Sequence, residues 1–337
     1  MPRPADGSRP ADGSRPADGS RPATATTRPG GYPTGDAAAW RKRYQPFVAT
    51  RLVHAQPAAP RVSVVLVAWN TPRLVVPCLE AIRRQQGFGR DDLEVILVDN
   101  GGLAPARAAF PGLVDLELRL THNVRLCPAR NLGVAEARAP LVAFLDDDGL
   151  IEPDYLQRAL PYFADPTVAA VRSRIVWRAH RYFTLLASHY DRGPQPVADC
   201  LVTEGSSLVR RDRFLEVGGF AEELAGHEGI DLTFRLQAQH PETKVLYAPD
   251  VVMRHDYVDS WAKFFRKSSQ YSHIDQTVAG RGPELAAFLR GYFGRRFATH
   301  PRRLDERLAL LLLRGLQRGV QRTARLGRRL AGESRPA

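Results

Sequence analysis

Residues Leu141–Leu156 read LVAFLDDDGLIEPDYL. Five consecutive apolar residues, Leu141 to Leu145, predict a strand buried on both faces, as in a parallel sheet covered by helices. Asp146, Asp147 and Asp148 follow at once. Gly149 lets the chain turn, and Pro153 suits the first turn of a new helix. A buried strand that delivers adjacent carboxylates to its carboxyl end places negative charge where open α/β sheets bind ligands. Carboxylates that close repel one another unless a cation sits between them. Asp146 and Asp148 therefore read as ligands of a divalent metal, and the metal as the holder of an anionic group, most simply a diphosphate. An acidic turn that caps the next helix is the plainer alternative, but it accounts for one acid and leaves two over.

Outward from this stretch, strands and helices alternate. VSVVLVA (62–68) is a second buried strand. Thr71 is placed to cap the following helix, with Pro72 at its first position and Val75, Leu79 and Ile82 on one face. Leu93 to Val98 is a third buried strand, ending in Asp99-Asn100-Gly101-Gly102. Leu116, Leu118 and Leu120 alternate with polar residues, as in a strand nearer an edge. Cys127 to Ala137 is helical. The alternation argues for an α/β fold, a mostly parallel sheet with helices on both faces. Beyond it, strands are expected at 168–176, 206–209, 245–247 and 251–253, and helices at 229–239, 259–271 and 284–297. An Arg-rich helix closes the chain.

Three regions follow: a Pro-rich tail over 1–60, the α/β domain over 61–275, and a basic helical extension over 276–337. Residues 3–23 repeat RPADGS three times and begin a fourth copy, a composition that builds no core. A short helix around Ala37 to Tyr44 is the one element expected in the tail. The net charge of +12 resides at the two ends. Residues 1–60 hold nine Lys/Arg against four Asp/Glu, and 281–337 hold fourteen against four, so the domain between is mildly acidic. Basic ends favour a polyanion or an anionic membrane as partner. An acidic core and few aromatics among the basic residues make nucleic acid a poor substrate. Cys78, Cys127 and Cys200 are scattered, with no CxxC pair for zinc or a disulfide framework. With no apolar run fit for a signal peptide, and Leu308–Leu313 too short to span a bilayer, a cytoplasmic setting is expected.

Several nucleotide sites are excluded. Trp69-Asn70-Thr71-Pro72 follows the 62–68 strand where a dinucleotide fold needs glycines, and no GxxxxGK[ST] loop exists. Gly205-Ser206-Ser207 lacks the second glycine of a nucleophile elbow.

The segments VSVVLVAWN, LEVILVDNGG, ARNLGV, VAFLDDDGLIEPDYL, VGGF and HEGIDLTFRL occur in the order and spacing of family 2 glycosyltransferases, a resemblance that covers residues 62–256. It implies the GT-A fold, a mixed, mostly parallel central sheet between helices. It also implies an inverting enzyme that uses a nucleotide-diphospho-sugar and Mg²⁺ or Mn²⁺. By resemblance, Asp99 hydrogen-bonds the nucleobase, with Ala68 and Asn70 lining the same pocket. Arg130 faces the nucleotide, unless it is simply a solvated helix arginine. Asp146 and Asp148 correspond to the DxD pair, with Asp146 and Asp147 nearer the donor, and His255 completes the metal site. The departure is at the base: where the family has Glu-Asp, this chain has Glu228-Gly229. Glu228 is the first candidate to take the acceptor proton and Asp231 the second; an i,i+4 pair with Arg235 is the plainer role for Asp231.

Two other readings compete. A sugar-nucleotide nucleotidyltransferase shares the fold but wants a Gly-rich basic loop after the 62–68 strand. A catalytically degenerate transferase acting as a membrane-surface scaffold suits the basic ends and Gly229. The acceptor is a glycan, a lipid-linked molecule or a small molecule, and residues 177–200 are the expected seat of its specificity. Leu304, Leu308, Leu312, Leu316 and Val320 form a stripe offset by two residues from Arg314, Arg318 and Arg322. The segment 302–330 is thus expected to lie on an anionic membrane surface at the inner face, or to pack its leucines on the domain.

Overall fold

The computed structural model describes residues 37–102, 110–224, 226–270 and 282–330. Its strands are β1 (Val48–Val53), β2 (Val62–Ala68), β3 (Leu93–Asp99), β4 (Leu116–Leu120), β5 (Leu141–Asp146), β6 (Leu150–Ile151), β7 (Val168–Val176), β8 (Val197–Ala198), β9 (Ser206–Arg210) and β10 (Lys244–Arg254). Its α-helices are α1 (Ala37–Tyr44), α2 (Pro72–Arg83), α3 (Leu126–Glu136), α4 (Tyr155–Ala159), α5 (Arg181–Thr184), α6 (Arg211–Glu216), α7 (Glu228–Gln239), α8 (Trp261–Gln270), α9 (Pro283–Gly294) and α10 (Leu304–Leu330).

The apolar runs at 62–68, 93–99 and 141–146 form the centre of one sheet. β2 pairs in parallel with β3 on one side and β5 on the other, and β3 pairs in parallel with β4. The strand order is β1-β4-β3-β2-β5-β9-β7-β10-β6, with β8 beside β10. β9 runs antiparallel to both β5 and β7, while β7 and β10 are parallel, so the sheet is mixed. The alternation of a pleated strand sorts side chains into two layers. Val62, Val64, Leu66 and Ala68 pack with Val75, Leu79 and Ile82 of α2, whereas Val65, Ile96 and Val98 face α3 and the Phe214–Phe220 cluster. Register then fixes the site: Ala68 lies opposite Asp99, and Val67 opposite Asp146, at one edge of the parallel strands.

Several expectations change. The repeats at 3–23 lie outside the described residues, but the tail does not extend to residue 60. β1 adds an edge strand antiparallel to β4, and α1 buries Trp40 and Tyr44 on α3 and α6. β1 (VATRLV) buries none of its six side chains fully, with Ala49, Thr50, Arg51 and Val53 exposed, so it carries no buried run to read. The two short strands expected at 245–247 and 251–253 are one strand, β10, interrupted by an irregularity between Ala248 and Val252. The division near 275 is not a division in packing. α9 buries Leu285, Leu289 and Tyr292 with Ile230 of α7 and Leu224, and Arg181 bonds Glu306 of α10 at 2.7 Å. Thr71 does not cap α2 through its side chain; its hydroxyl is hydrogen-bonded to the Asp147 carboxylate instead.

Candidate active site

β5 ends at Asp146, and the turn through Gly149 brings the next two acids back over the sheet edge, held by the Gly149 N–H on the Asp146 carbonyl at 3.1 Å. β10 ends at Arg254, so His255 arrives from the other half of the sheet. One ligand atom each from Asp146, Asp148 and His255 lies within 4.8 Å of the other two. Two carboxylate oxygens and an imidazole nitrogen converging in this way suit Mg²⁺ or Mn²⁺. A Cβ at position 205 would overlap the Asp146 carboxylate, so only glycine there leaves room for it.

Each of the three is held in place. His255 Nε2 lies 3.1 Å from Asp148 Oδ1, and its Nδ1 lies 3.0 Å from the Tyr190 hydroxyl. A partner on Nδ1 fixes ring orientation and leaves Nε2 to face the acids. Arg178 Nη1 donates to the Asp148 carbonyl at 3.0 Å. Burial works to raise the Asp148 carboxyl, but the hydrogen bond and charge of His255 outweigh it and hold it below its ordinary value. Asp147 faces the other way, to Thr71 and α2; burial pushes it up to about 6, against the bond from Thr71.

Arg130 is not a solvated helix arginine. It is buried, donates to Asp146 Oδ1 at 2.9 Å, and lies over the Phe220 ring. Its work is to position Asp146. Asp99 is buried at the end of β3, where its Oδ1 accepts the Gly102 N–H at 3.0 Å. Ala68 is fully buried beside it. Asn70, exposed and at φ 59°, takes the left-handed conformation that asparagine tolerates better than most residues. Ala68, Asn70 and Asp99 thus gather at the ends of β2 and β3, next to the three aspartates.

Asp231 makes the i,i+4 pair expected as its plainer role. It is buried on α7 and paired with Arg235 at 2.7 Å, and Arg235 also donates to the Val217 and Gly219 carbonyls at 2.6 Å. The pair fastens α7 to the Gly218-Gly219 turn. Glu228 faces a cavity of about 560 Å³ whose wall includes His189, Tyr257, Tyr292, Phe293 and Phe297. Buried Asp199 braces this wall, accepting from Arg172 Nε at 2.7 Å, Arg192 Nε at 3.1 Å and the Tyr292 hydroxyl at 2.9 Å. A second carboxylate, Glu204, lines the same cavity. Burial and the nearby charge of Glu228 push its carboxyl up from its ordinary value. Sequence reasoning missed Glu204, Gly205 and Tyr190. The one local signal for Glu204 was an acid set between the 197–203 stretch and the small residues that open β9.

A mixed sheet between helices, with an acidic turn at the end of a central parallel strand, defines the GT-A fold. Residues 63–217 match the model of Glycosyl transferase family 2. The pre-mycofactocin glycosyltransferase of Mycobacterium tuberculosis is 30% identical over 209 residues, covering 58% of this chain and 44% of its own length. A validoxylamine A glucosyltransferase of Streptomyces hygroscopicus is 34% identical over 118 residues, 33% of this chain and 28% of its own. The chain spans less than half the length of these curated relatives. Among solved structures, a mannosyltransferase from Pyrobaculum calidifontis in complex with GDP-Man and Mn²⁺ superposes with a TM-score of 0.53 at 21% identity, covering 89% of this chain and 82% of its own. S. aureus TarS 1–349 gives 0.51 at 15% identity, with 80% and 92% covered. At these identities the likeness concerns fold.

Proposed function

We propose that this chain transfers a sugar from a nucleotide-diphospho-sugar to an acceptor hydroxyl, inverting the anomeric carbon. The observation that carries the reading is the convergence of Asp146, Asp148 and His255 at the strand ends beside a cavity lined by two carboxylates, Glu204 and Glu228. Asp146, Asp148 and His255 would hold Mg²⁺ or Mn²⁺, which offsets charge on the departing diphosphate. Ala68, Asn70 and Asp99 would seat the base, with Asp146 toward the ribose; Asp147, turned to Thr71 and α2, would not reach the donor. Tyr257, Tyr292, Phe293 and Phe297 offer flat apolar faces to an acceptor pyranose, and a carboxylate at the cavity, Glu228 first, receives the hydroxyl proton as the oxygen attacks. The test is thermal stability against UDP-, GDP- and dTDP-linked hexoses with and without Mn²⁺, followed by nucleoside diphosphate release. One donor class is expected to stabilise the protein only with the metal. Equal behaviour of every donor with Mn²⁺ and with excess chelator would sink the reading.

We also propose an anionic membrane at the inner face as the working surface. The leucine stripe is not the packed face of α10: Leu310 and Leu313 are buried, while Leu304, Leu308 and Leu312 are 73%, 54% and 76% exposed. At 100° per residue, the buried and exposed leucines lie on opposite sides of the helix, with Arg307, Arg314 and Arg318 along one flank between them. Apolar side chains outward with arginines at their border suit an interfacial helix, and bring a lipid-linked acceptor within reach. Among the described residues, no helix is long and apolar enough to cross a membrane. The protein is expected to sediment with vesicles containing phosphatidylglycerol and far less with neutral ones. Leu308→Gln/Leu312→Gln is expected to release it with an unchanged melting temperature. Equal sedimentation of the double variant would remove the membrane from the proposal.

A further inference from the structure

The base position poses a geometric question. Residue 229 stands at the start of α7, and a Cβ there would overlap the Leu201 carbonyl and come within 2.5 Å of Glu204 Oε1. The Gly229 N–H donates to that same oxygen at 2.8 Å. The space a side chain at 229 would need is therefore filled by the Leu201 carbonyl and by the Glu204 carboxylate, reaching across from the segment before β9. Beside it, Glu228 is 8% exposed, and its Oε2 has no hydrogen-bond partner among the described residues. A buried carboxylate oxygen left unpaired at a cavity wall is costly unless a donor arrives from a ligand. Both carboxyl groups line the cavity, and Gly205, next to Glu204, is packed on the Asp146 carboxylate. The pair thus stands between the acceptor cavity and the acidic turn.

We infer that Glu204 is a catalytic residue, acting with Glu228 as a two-carboxyl unit that takes the acceptor proton in place of a side chain at 229. The inference rests on the transferase reading above. Both carboxyls line one cavity, and burial with the charge of Glu228 favours a proton on Glu204; in the proposal the pair holds that one proton and carries a single negative charge before the reaction. In the step, a lone pair of the acceptor oxygen forms the bond to the anomeric carbon, and the bond from that carbon to the diphosphate oxygen breaks with its electrons going to the diphosphate. The hydroxyl proton passes to the pair, which becomes neutral and later releases it to water. Glu228 Oε2 offers the vacant acceptor site. Glu204 keeps the shared proton available and is pinned by the Gly229 N–H.

Two readings test this in the full chain. The first is release of nucleoside diphosphate from the donor class found above, with Mn²⁺. Glu204→Gln is expected to lower kcat by about 10² or more and to leave both the donor KM and the stabilisation by nucleotide with Mn²⁺ unchanged. Retention of kcat within a few-fold, or loss of nucleotide binding along with activity, overturns the assignment. The second needs no turnover. The folded Glu204 carboxyl keeps a proton that the unfolded chain releases above its ordinary 4.5, so stability falls as pH rises, between about pH 5 and pH 8. The other charged or titratable groups about the pair are Arg130 from α3, His227 just before α7, Arg192 and Arg295; Cys127 of α3, pushed up by burial, and His189, pushed down to about 3 by burial, stay neutral in this range. All of them remain in the variant, so the difference between the two proteins belongs to the pair. The metal-free wild type is expected to lose more stability over this range than Glu204→Gln; parallel profiles overturn the shared proton. Should Glu204→Gln not fold, Glu228→Gln carries both readings, with the same expected losses. If the wild type releases no diphosphate from any donor, the transferase reading fails, while the pH profiles still decide whether the two carboxyls share a proton.

Discussion

Asp148→Ala is expected to reduce nucleoside diphosphate release by about 10³-fold or more, because several kilocalories of charge stabilisation on the leaving group would go with the ion that Asp148, Asp146 and His255 would hold. The Asp148 carboxylate supplies one of three converging ligand atoms and is also the partner of His255 Nε2 at 3.1 Å. Its removal therefore takes away one ligand and frees a second to rotate. Tyr190 still contacts Nδ1 at 3.0 Å, but a single hydrogen bond leaves the ring a wider range. Asp148 is part-exposed and outside the packed layers, so the melting temperature without metal is expected to change little. The check is a comparison of turnover and of donor affinity with and without Mn²⁺. In the variant, metal is expected to make no difference to donor affinity. Undiminished transfer by Asp148→Ala, or by wild type in excess chelator, would remove the metal from the mechanism.

A chain that begins at Gln56 is expected to melt roughly ten degrees or more below one that begins at residue 36. Trp40 is 1% exposed, with its ring 6.2 Å from those of Tyr44 and Phe214. Arg41 donates to the Ala135 carbonyl at 2.6 Å, and Arg43 is paired with Glu222 at 2.7 Å. Replacing a buried tryptophan by alanine costs about 3–5 kcal/mol, and a kilocalorie moves the midpoint of a domain this large by about 2–4 °C. Trp40→Ala alone is thus expected to account for most of the loss. Removing β1 as well strips the hydrogen-bonded edge from β4. Equal midpoints for the two chains would show that α1 and β1 contribute nothing to the folded state.

The parts of this structure that were legible in the sequence are those where one residue type does one job. The runs at 62–68, 93–98 and 141–145 are apolar because both faces of their strands are covered, and the acids after 145 have no packing role to confuse them with. β1 was illegible for the opposite reason. An edge strand with one exposed face needs no apolar run, and Thr50, Arg51 and His54 read as linker in a Pro-rich setting. The site shows the same contrast. Asp146, Asp148 and His255 were read from a motif, and the described geometry gathers them. The roles of Arg130 and Asp231 depended on which way a helix faces, something spacing alone does not give: Arg130 turns in to Asp146, and Asp231 turns to Arg235 and the Gly219 turn. Glu204 and Glu228 lie 24 positions apart, and nothing in either local stretch announces the other. Only the close approach of the Glu204 carboxylate to Gly229 makes them neighbours.

The docking of α1 also bears on the order in which the chain is made. Trp40 and Tyr44 leave the ribosome early, but their partners on α3 follow about eighty or more residues later and Phe214 well after that. At about 5–20 residues per second, the nascent chain carries these two aromatic rings uncovered for several seconds, and β1 waits as long for β4. The strands β2, β3 and β5 can assemble before Phe214 is made, so the amino-terminal segment is expected to settle after the central strands rather than before them. A nascent chain halted after α2 should therefore be more readily captured by a hydrophobic-binding chaperone than one halted after α6.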